Sequence, residues 1–185
     1  MKRNQSKRAL RVTVALSLMV AISIVCGKYL AFSVGEFLRF SFENLPIILS
    51  GILFGPAAGA LVGIVADLVG CVMVGYTINP IITLGAAVIG ITAGISWRFM
   101  NALHAPYLLR IVTSVGLSHI LGSVLIKTFG LAAFYSLPIG ILMLWRLLNY
   151  VIVGGVEGVL VFILMKNKLL TKQFSAGQAS ARKEQ

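Results

Sequence analysis

From residue 12 to residue 165 this chain is apolar almost throughout, interrupted only by short breaks that carry proline, glycine or a few charges. Nothing else in the sequence constrains the fold as strongly. Apolar runs of this length, repeated along 185 residues, leave a water-soluble fold too little polar surface to cover its core. Charged residues make up 11% of the chain, against about a quarter in a soluble domain. A disordered chain would be far less apolar than the 58% present here. The sequence therefore predicts an all-α integral membrane protein built from several transmembrane helices.

The net charge of +11 would suggest a nucleic-acid partner in a soluble protein, but its placement argues otherwise. Lys2, Arg3, Lys7, Arg8 and Arg11 precede the first apolar run, and Lys166, Lys168, Lys172, Arg182 and Lys183 follow the last. Arg98 and Arg110 flank a break around His104. A nucleic-acid surface would interleave basic with polar and aromatic residues along a folded domain. Here the basic groups mark the ends of membrane spans, the signature of cytoplasmic segments.

The breaks divide the chain into six spans: about Val12–Leu30, Leu45–Phe54, Pro56–Val74, Pro80–Met100, Pro106–Leu131, and a last one from the Ser136–Pro138 turn to Met165. Proline at the start of three of them is well tolerated in a first helical turn. The second span, even counted from Ser41, rises only about 20 Å against a hydrocarbon core of about 30 Å. Counting it still places both basic termini and the His104 break on one side, which the positive-inside rule makes cytoplasmic. The organisation expected is a cytoplasmic tail over 1–11, a membrane domain over 12–165 and a second, disordered tail over 166–185. The start resembles a secretion signal, but Val25 precedes Cys26 where a small residue is needed, so it is read as an uncleaved first span. No phosphate-binding Gly-rich loop occurs, so any ATP must be bound by another subunit.

Small residues recur every fourth position: Thr13, Ser17 and Ala21; Gly59 and Gly63; Gly90 and Gly94; Ser114, Ser118 and Gly122; Gly154 and Gly158. Such rows let helices approach closely in lipid, and they read as internal packing, except that the first row could face a partner. Ionisable residues within a membrane are costly and point to function. Four qualify: Asp67, Lys127, Arg146 and Glu157. Asp67 and Arg146 both fall near mid-depth, either as a structural ion pair or as contacts to a ligand. Arg146, Asn149, Tyr150 and Val153 share one helical face and suit an anionic, partly aromatic ligand. Glu157 has no obvious partner, and His104 and His119 look unremarkable. In the outward loops, Arg39 among Phe37, Phe40 and Phe42 could pair a carboxylate and stack a ring, or simply anchor the interface. Tyr76, Asn79 and Tyr135 lie at the same face. Cys26 and Cys71 form no disulfide framework, no cluster has metal-ligand spacing, and no nucleophile–base pair or multi-Asp set exists. The expectation is no enzyme, no metal and no cofactor.

The run Arg39-Phe-Ser-Phe-Glu-Asn-Leu-Pro46 through Phe54-Gly55-Pro56, then Gly59, Gly63 and Ala66-Asp67-Leu-Val-Gly70, resembles the substrate-binding S components of energy-coupling factor (ECF) transporters, most closely their folate-specific branch. Arg146-Leu-Leu-Asn149 is similar to the arginine-bearing last span of that branch. The turn Tyr76-Thr-Ile-Asn-Pro80-Ile-Ile-Thr83 keeps Pro80 and Thr83 of the branch but not its Gly-Phe. The resemblance implies a vitamin-capturing subunit of a bacterial plasma membrane that binds at its outer face. It implies association with a transmembrane coupling subunit and two ATP-binding subunits, docking through the Thr13, Ser17 and Ala21 row. The substrate residues it and the chemistry suggest together are Arg39, Phe42, Asp67, Tyr76, Asn79, Lys127, Arg146, Asn149 and Tyr150. Arg39, Lys127 or Arg146 would meet the carboxylates of folate, and Asp67 or Asn149 the donors of its pterin. Two alternatives stay open: another vitamin such as pantothenate, or a stand-alone proton-coupled carrier using Asp67 or Glu157.

Overall fold

The computed structural model describes residues 2–34, 38–136 and 138–167. Helix α1 spans Lys2–Ile24 and ends in a π-helical turn over Val25–Tyr29. Two short strands follow, β1 (Phe32–Val34) and β2 (Leu38–Phe40), paired antiparallel with Phe32 opposite Phe40. Then come α2 (Asn44–Phe54), α3 (Pro56–Val74) and α4 (Pro80–Ala102). Helix α5 (Tyr107–Ser118) continues through a π-helical stretch, His119–Ile126, into α6 (Lys127–Tyr135), and α7 covers Ile139–Lys166. Among the described residues, five helical rods are long and apolar enough to cross a membrane, whereas α2 has only 11 residues.

The turns follow from particular residues. Gly55 sits at φ +104° and Pro56 occupies the first turn of α3, so the chain reverses there without a loop. Gly75 caps α3 in the left-handed region at φ +71°. Asn79 caps α4, its Oδ1 accepting from the Ile81 amide at 3.0 Å, with Pro80 just inside.

The span boundaries read from the breaks agree with these helices to within a few residues, except that α1 begins at Lys2, ten residues before the expected start at Val12 and inside the segment read as a tail. The paired strands Phe32–Val34 and Leu38–Phe40 are a departure from the all-α expectation, with the Phe32 and Phe40 rings stacked 5.3 Å apart. Helix α2 is too short to pack as an ordinary span and is instead enclosed. Eight of its 11 residues are buried. Ile47, Ile48, Leu49 and Ile52 from α2 meet Val62, Ile89, Ala93, Ile111, Val115 and Val161 in the core.

The Gly59/Gly63 and Gly90/Gly94 rows make that enclosure possible. A Cβ on Gly90 would fall 2.2 Å from the Gly59 backbone, and one on Gly63 would fall 2.3 Å from the Ala86 carbonyl oxygen. A Cβ on Gly51 of α2 would come just as close to the Gly90 carbonyl oxygen, at 2.3 Å. The α7 row is divided. A Cβ on Gly154 would fall 3.1 Å from the His119 ring, whereas on Gly158 it would meet nothing within 4 Å among the described residues, so Gly158 opens onto a groove.

Candidate ligand site

The helix order brings the end of α1, the hairpin, the starts of α2, α4 and α7 and the ends of α3 and α6 to one end of the bundle. Near that end lies a group of charges, with Lys127 buried and Lys28, Glu43 and Asp67 half-buried. Lys127, first residue of α6, is only 3% exposed. Its Nζ donates to Glu43 Oε1 at 2.8 Å and to Asn44 Oδ1 at 3.4 Å. Asp67 of α3 accepts a 2.6 Å bond from the Thr83 hydroxyl of α4. Lys28, in the π turn of α1, places Nζ 4.0 Å from Cys71 Sγ and 5.5 Å from the centre of the Tyr76 ring. Lys28, Glu43, Asp67 and Lys127, with Ser23, Ile47 and the small residues Gly63, Ala66 and Ala86, surround a cavity of about 10 Å³. That holds roughly one water, whereas a vitamin-sized ligand needs several hundred Å³. In this structure the site is filled by its own side chains.

A chain of polar contacts leads from this cluster into the core. Asn44 Nδ2 donates to Ser123 Oγ at 3.4 Å, and Ser123 Oγ lies 3.4 Å from His119 Nδ1. His119 Nε2 lies 2.7 Å from Glu157 Oε2 on α7. His119, Ser123 and Lys127 recur every four residues along the π-helical stretch and into the first residue of α6, so one face of this rod carries all three. Widened turns of this kind often accompany functional sites. His119 also stacks on the Tyr150 ring with centroids 5.0 Å apart, and Arg146 Nη2 donates to Tyr150 Oη at 3.2 Å.

Several expectations change here. Asp67 and Arg146 do not pair with each other: Asp67 accepts from Thr83, and Arg146 reaches forward one turn to Tyr150. Glu157 does have a partner, His119, so neither residue is bland; both are essentially inaccessible, with 4% and 0% side-chain exposure. Lys127, Asp67 and Tyr76 do converge on one region through Lys28 and Glu43. Asn79 is buried but acts as a helix cap and donates to the Gly130 carbonyl at 3.0 Å. Asn149 is buried on α7, and Arg146 and Tyr150 are half-buried beside the His119 pair. Phe42 is half-buried just before α2. The side chains of Arg39 and Tyr135 lie outside the described residues, as does the expected C-terminal tail from residue 168 on.

Sequence reasoning missed Lys28, Glu43, Asn44, Ser123 and His119 as members of this cluster. The spacing of His119, Ser123 and Lys127 was a readable signal, but only tertiary contact supplies their partners. Thr13, Ser17 and Ala21 are all exposed on α1 and face away from the bundle.

Two larger cavities are apolar. One of about 480 Å³ runs between α5, the π-helical stretch and α7, with His119 and Tyr150 as its polar lining. The other, about 560 Å³, lies between α4, α6 and α7. Both are bordered by exposed aliphatic residues such as Leu84, Val112, Ile120 and Val151, on flanks that would meet lipid. Neither offers a counter-charge for an anionic ligand, so the charged cluster is the better candidate despite its size.

Long apolar helices around an enclosed short helix, with buried and half-buried charges gathered near one end, define a multi-pass membrane protein with a candidate polar ligand site. The family model described as "ECF transporter, substrate-specific component" matches residues 11–167, and the chain belongs to that family. It is 21% identical over 162 residues to the folate transporter FolT of Clostridium novyi (strain NT), covering 84% of this chain and 88% of that one. Among solved structures it is similar to FolT bound with folic acid, with a TM-score of 0.64, 21% identity and coverage of 81% and 88% of the two chains. It is also similar to the S component of a bacterial ECF transporter, with a TM-score of 0.63, 21% identity and coverage of 89% and 96%. At this identity the structural matches establish the shared fold.

Proposed function

We infer that this chain is the substrate-capture subunit of an ECF transporter for vitamin uptake, with folate as its substrate. The observation that carries the reading is the likeness to a folate transporter along 84% of the chain, within a family already defined as substrate-specific. The charged cluster supports it on chemical grounds. Folate is an anion with two carboxylates in its glutamate tail, and Lys127 is a buried cation that suits one of them. Arg146 and Arg39 are the candidates for the other. Asp67 and Asn149 suit the pterin donors, and Phe42, Tyr76 and Tyr150 offer flat faces for stacking. Asn79 shapes the neighbouring turn.

The ligand enters from the extracellular side, at the end of the bundle that carries the hairpin. Six crossings, with α2 counted, place both basic termini in the cytoplasm of a bacterial plasma membrane. Delivery then requires an ATP-driven coupling module: a transmembrane coupling subunit that docks on the Thr13, Ser17 and Ala21 face of α1, and two ATP-binding subunits. The chain itself performs no chemistry and needs no cofactor.

Isothermal calorimetry on the purified full chain tests this directly. Folate should bind without ATP, and folate that co-purifies should be visible in the near ultraviolet. Heat with pantothenate or another vitamin and none with folate would move the substrate and keep the family.

The His119–Glu157 pair favours one other reading, a self-sufficient proton-coupled carrier, because a buried carboxylate–imidazole pair can carry a proton across the membrane. That reading requires uptake by this chain alone in liposomes under a pH gradient, abolished by Glu157→Gln. Capture without sustained uptake sinks it.

A further inference from the structure

The two partners of the Lys127–Glu43 ion pair are unequal. The Lys127 side chain is 4% exposed and that of Glu43 is 28% exposed. An ammonium buried this deeply requires an anion beside it, because an unpaired charge there is far more costly than a paired one. The carboxylate has a route to water that the ammonium lacks.

The surroundings of Glu43 pin its backbone and leave a seat for its carboxylate. Ser23 Oγ donates to the Glu43 carbonyl oxygen at 2.7 Å, and the Glu43 amide donates to Ser41 Oγ at 3.2 Å. A Cβ on Gly27 would come within 2.7 Å of Glu43 Oε2, so the missing side chain there makes room for the acid. With Glu43 in place, the space it shares with Lys28, Asp67 and Lys127 shrinks to about 10 Å³.

We propose that Glu43 stands in for a ligand carboxylate: an anionic ligand displaces it from Lys127, so Glu43 is a specificity-determining residue that weakens binding and restricts it to ligands carrying a carboxylate. The proposal rests on the reading of the charged cluster as the ligand site. Displacement is a side-chain rotation at the start of α2, with the backbone held by Ser23 and Ser41. Lys127 exchanges one carboxylate for another, and Asn44 continues to accept from its ammonium throughout. A ligand without a carboxylate cannot complete the exchange, because it would leave Lys127 unpaired.

Chemical rescue and calorimetry on the purified full chain separate this from a fixed structural ion pair. Glu43→Ala removes the internal acid. Sodium acetate should then raise the thermal midpoint of that variant well above the effect of equal sodium chloride, with no such rise in the wild type or in Glu43→Ala/Lys127→Met. Where Glu43→Ala cannot be isolated, the same acetate series is run on Glu43→Gln. In the second arm, Glu43→Gln should bind folate at least about tenfold more tightly than the wild type. Acetate that stabilises neither Glu43 variant, or stabilises the double variant equally, overturns the proposal. Folate bound by Glu43→Gln no more tightly than by the wild type overturns it as well and leaves the folate reading standing. Acetate rescue combined with no folate heat in any variant overturns the folate reading and leaves the proposal standing.

Discussion

Lys127 concentrates the electrostatic cost of this fold in one residue. It is buried at the start of α6, and removing it deprives Glu43 of the ammonium that sits 2.8 Å from its Oε1. Lys127→Met should therefore destabilise the chain by about 3 kcal/mol, visible as a lower thermal midpoint in detergent, and should abolish folate capture. The His119–Glu157 pair makes a contrasting case. Glu157→Gln keeps an acceptor for His119 and removes the charge, so it should cost little stability. His119→Ala should cost about 3 kcal/mol, because it leaves a carboxylate with 0% exposure and no partner for Oε2. Comparing the two midpoints checks the assignment. Lys127, Asp67 and Glu157 were legible as candidates in the sequence, since any ionisable residue inside an apolar run stands out. Their partners were not. Glu43 lies 84 positions from Lys127, and His119 lies 38 from Glu157. No periodicity connects positions that far apart.

At the scale of the element, the α2–α3–α4 layer depends on backbone contact that only glycine permits. Gly90→Ala should lose about 1–3 kcal/mol or more, because the added methyl would overlap the Gly59 backbone and neither helix can retreat from the buried α2. Gly158→Ala, on α7, should be tolerated within about 0.5 kcal/mol, since nothing lies within 4 Å of the new Cβ. Thermal midpoints of the two variants in one detergent check the contrast. Both glycines belong to rows that look alike in sequence, so spacing found the close approaches but could not tell a packed glycine from one facing a groove. The hairpin was missed for a related reason. Phe32 to Phe40 holds a dense mixture of aromatic and charged residues, and that composition suits an interfacial loop as well as a paired strand.

For the whole molecule, the reading of α1 as a docking face and of the rest as a capture domain makes a separable prediction. Ser17→Trp should leave folate affinity unchanged and block uptake in a reconstituted complex with the coupling subunits, because Ser17 faces outward and touches no part of the charged cluster. Loss of both capture and uptake would mean that the face serves the fold instead. Topology is open to a labelling test. Single cysteines at residues 104 and 183, in a chain whose Cys26 and Cys71 are replaced, should react only with reagents admitted to the cytoplasm, and one at residue 77 only from outside. The sequence alone determined the membrane class, the order of the spans and their turns. Those depend on long-range averages of hydropathy and on proline and glycine chemistry, which act locally and need no partner. The tertiary structure alone decided which buried charges neutralise one another and which glycine rows are packed. It also decided that the short α2 is enclosed by its neighbours. Each of these is a contact between distant parts of the chain, and in a low-dielectric interior the energy of a charge is set by what lies within a few ångströms of it, not by its neighbours in sequence.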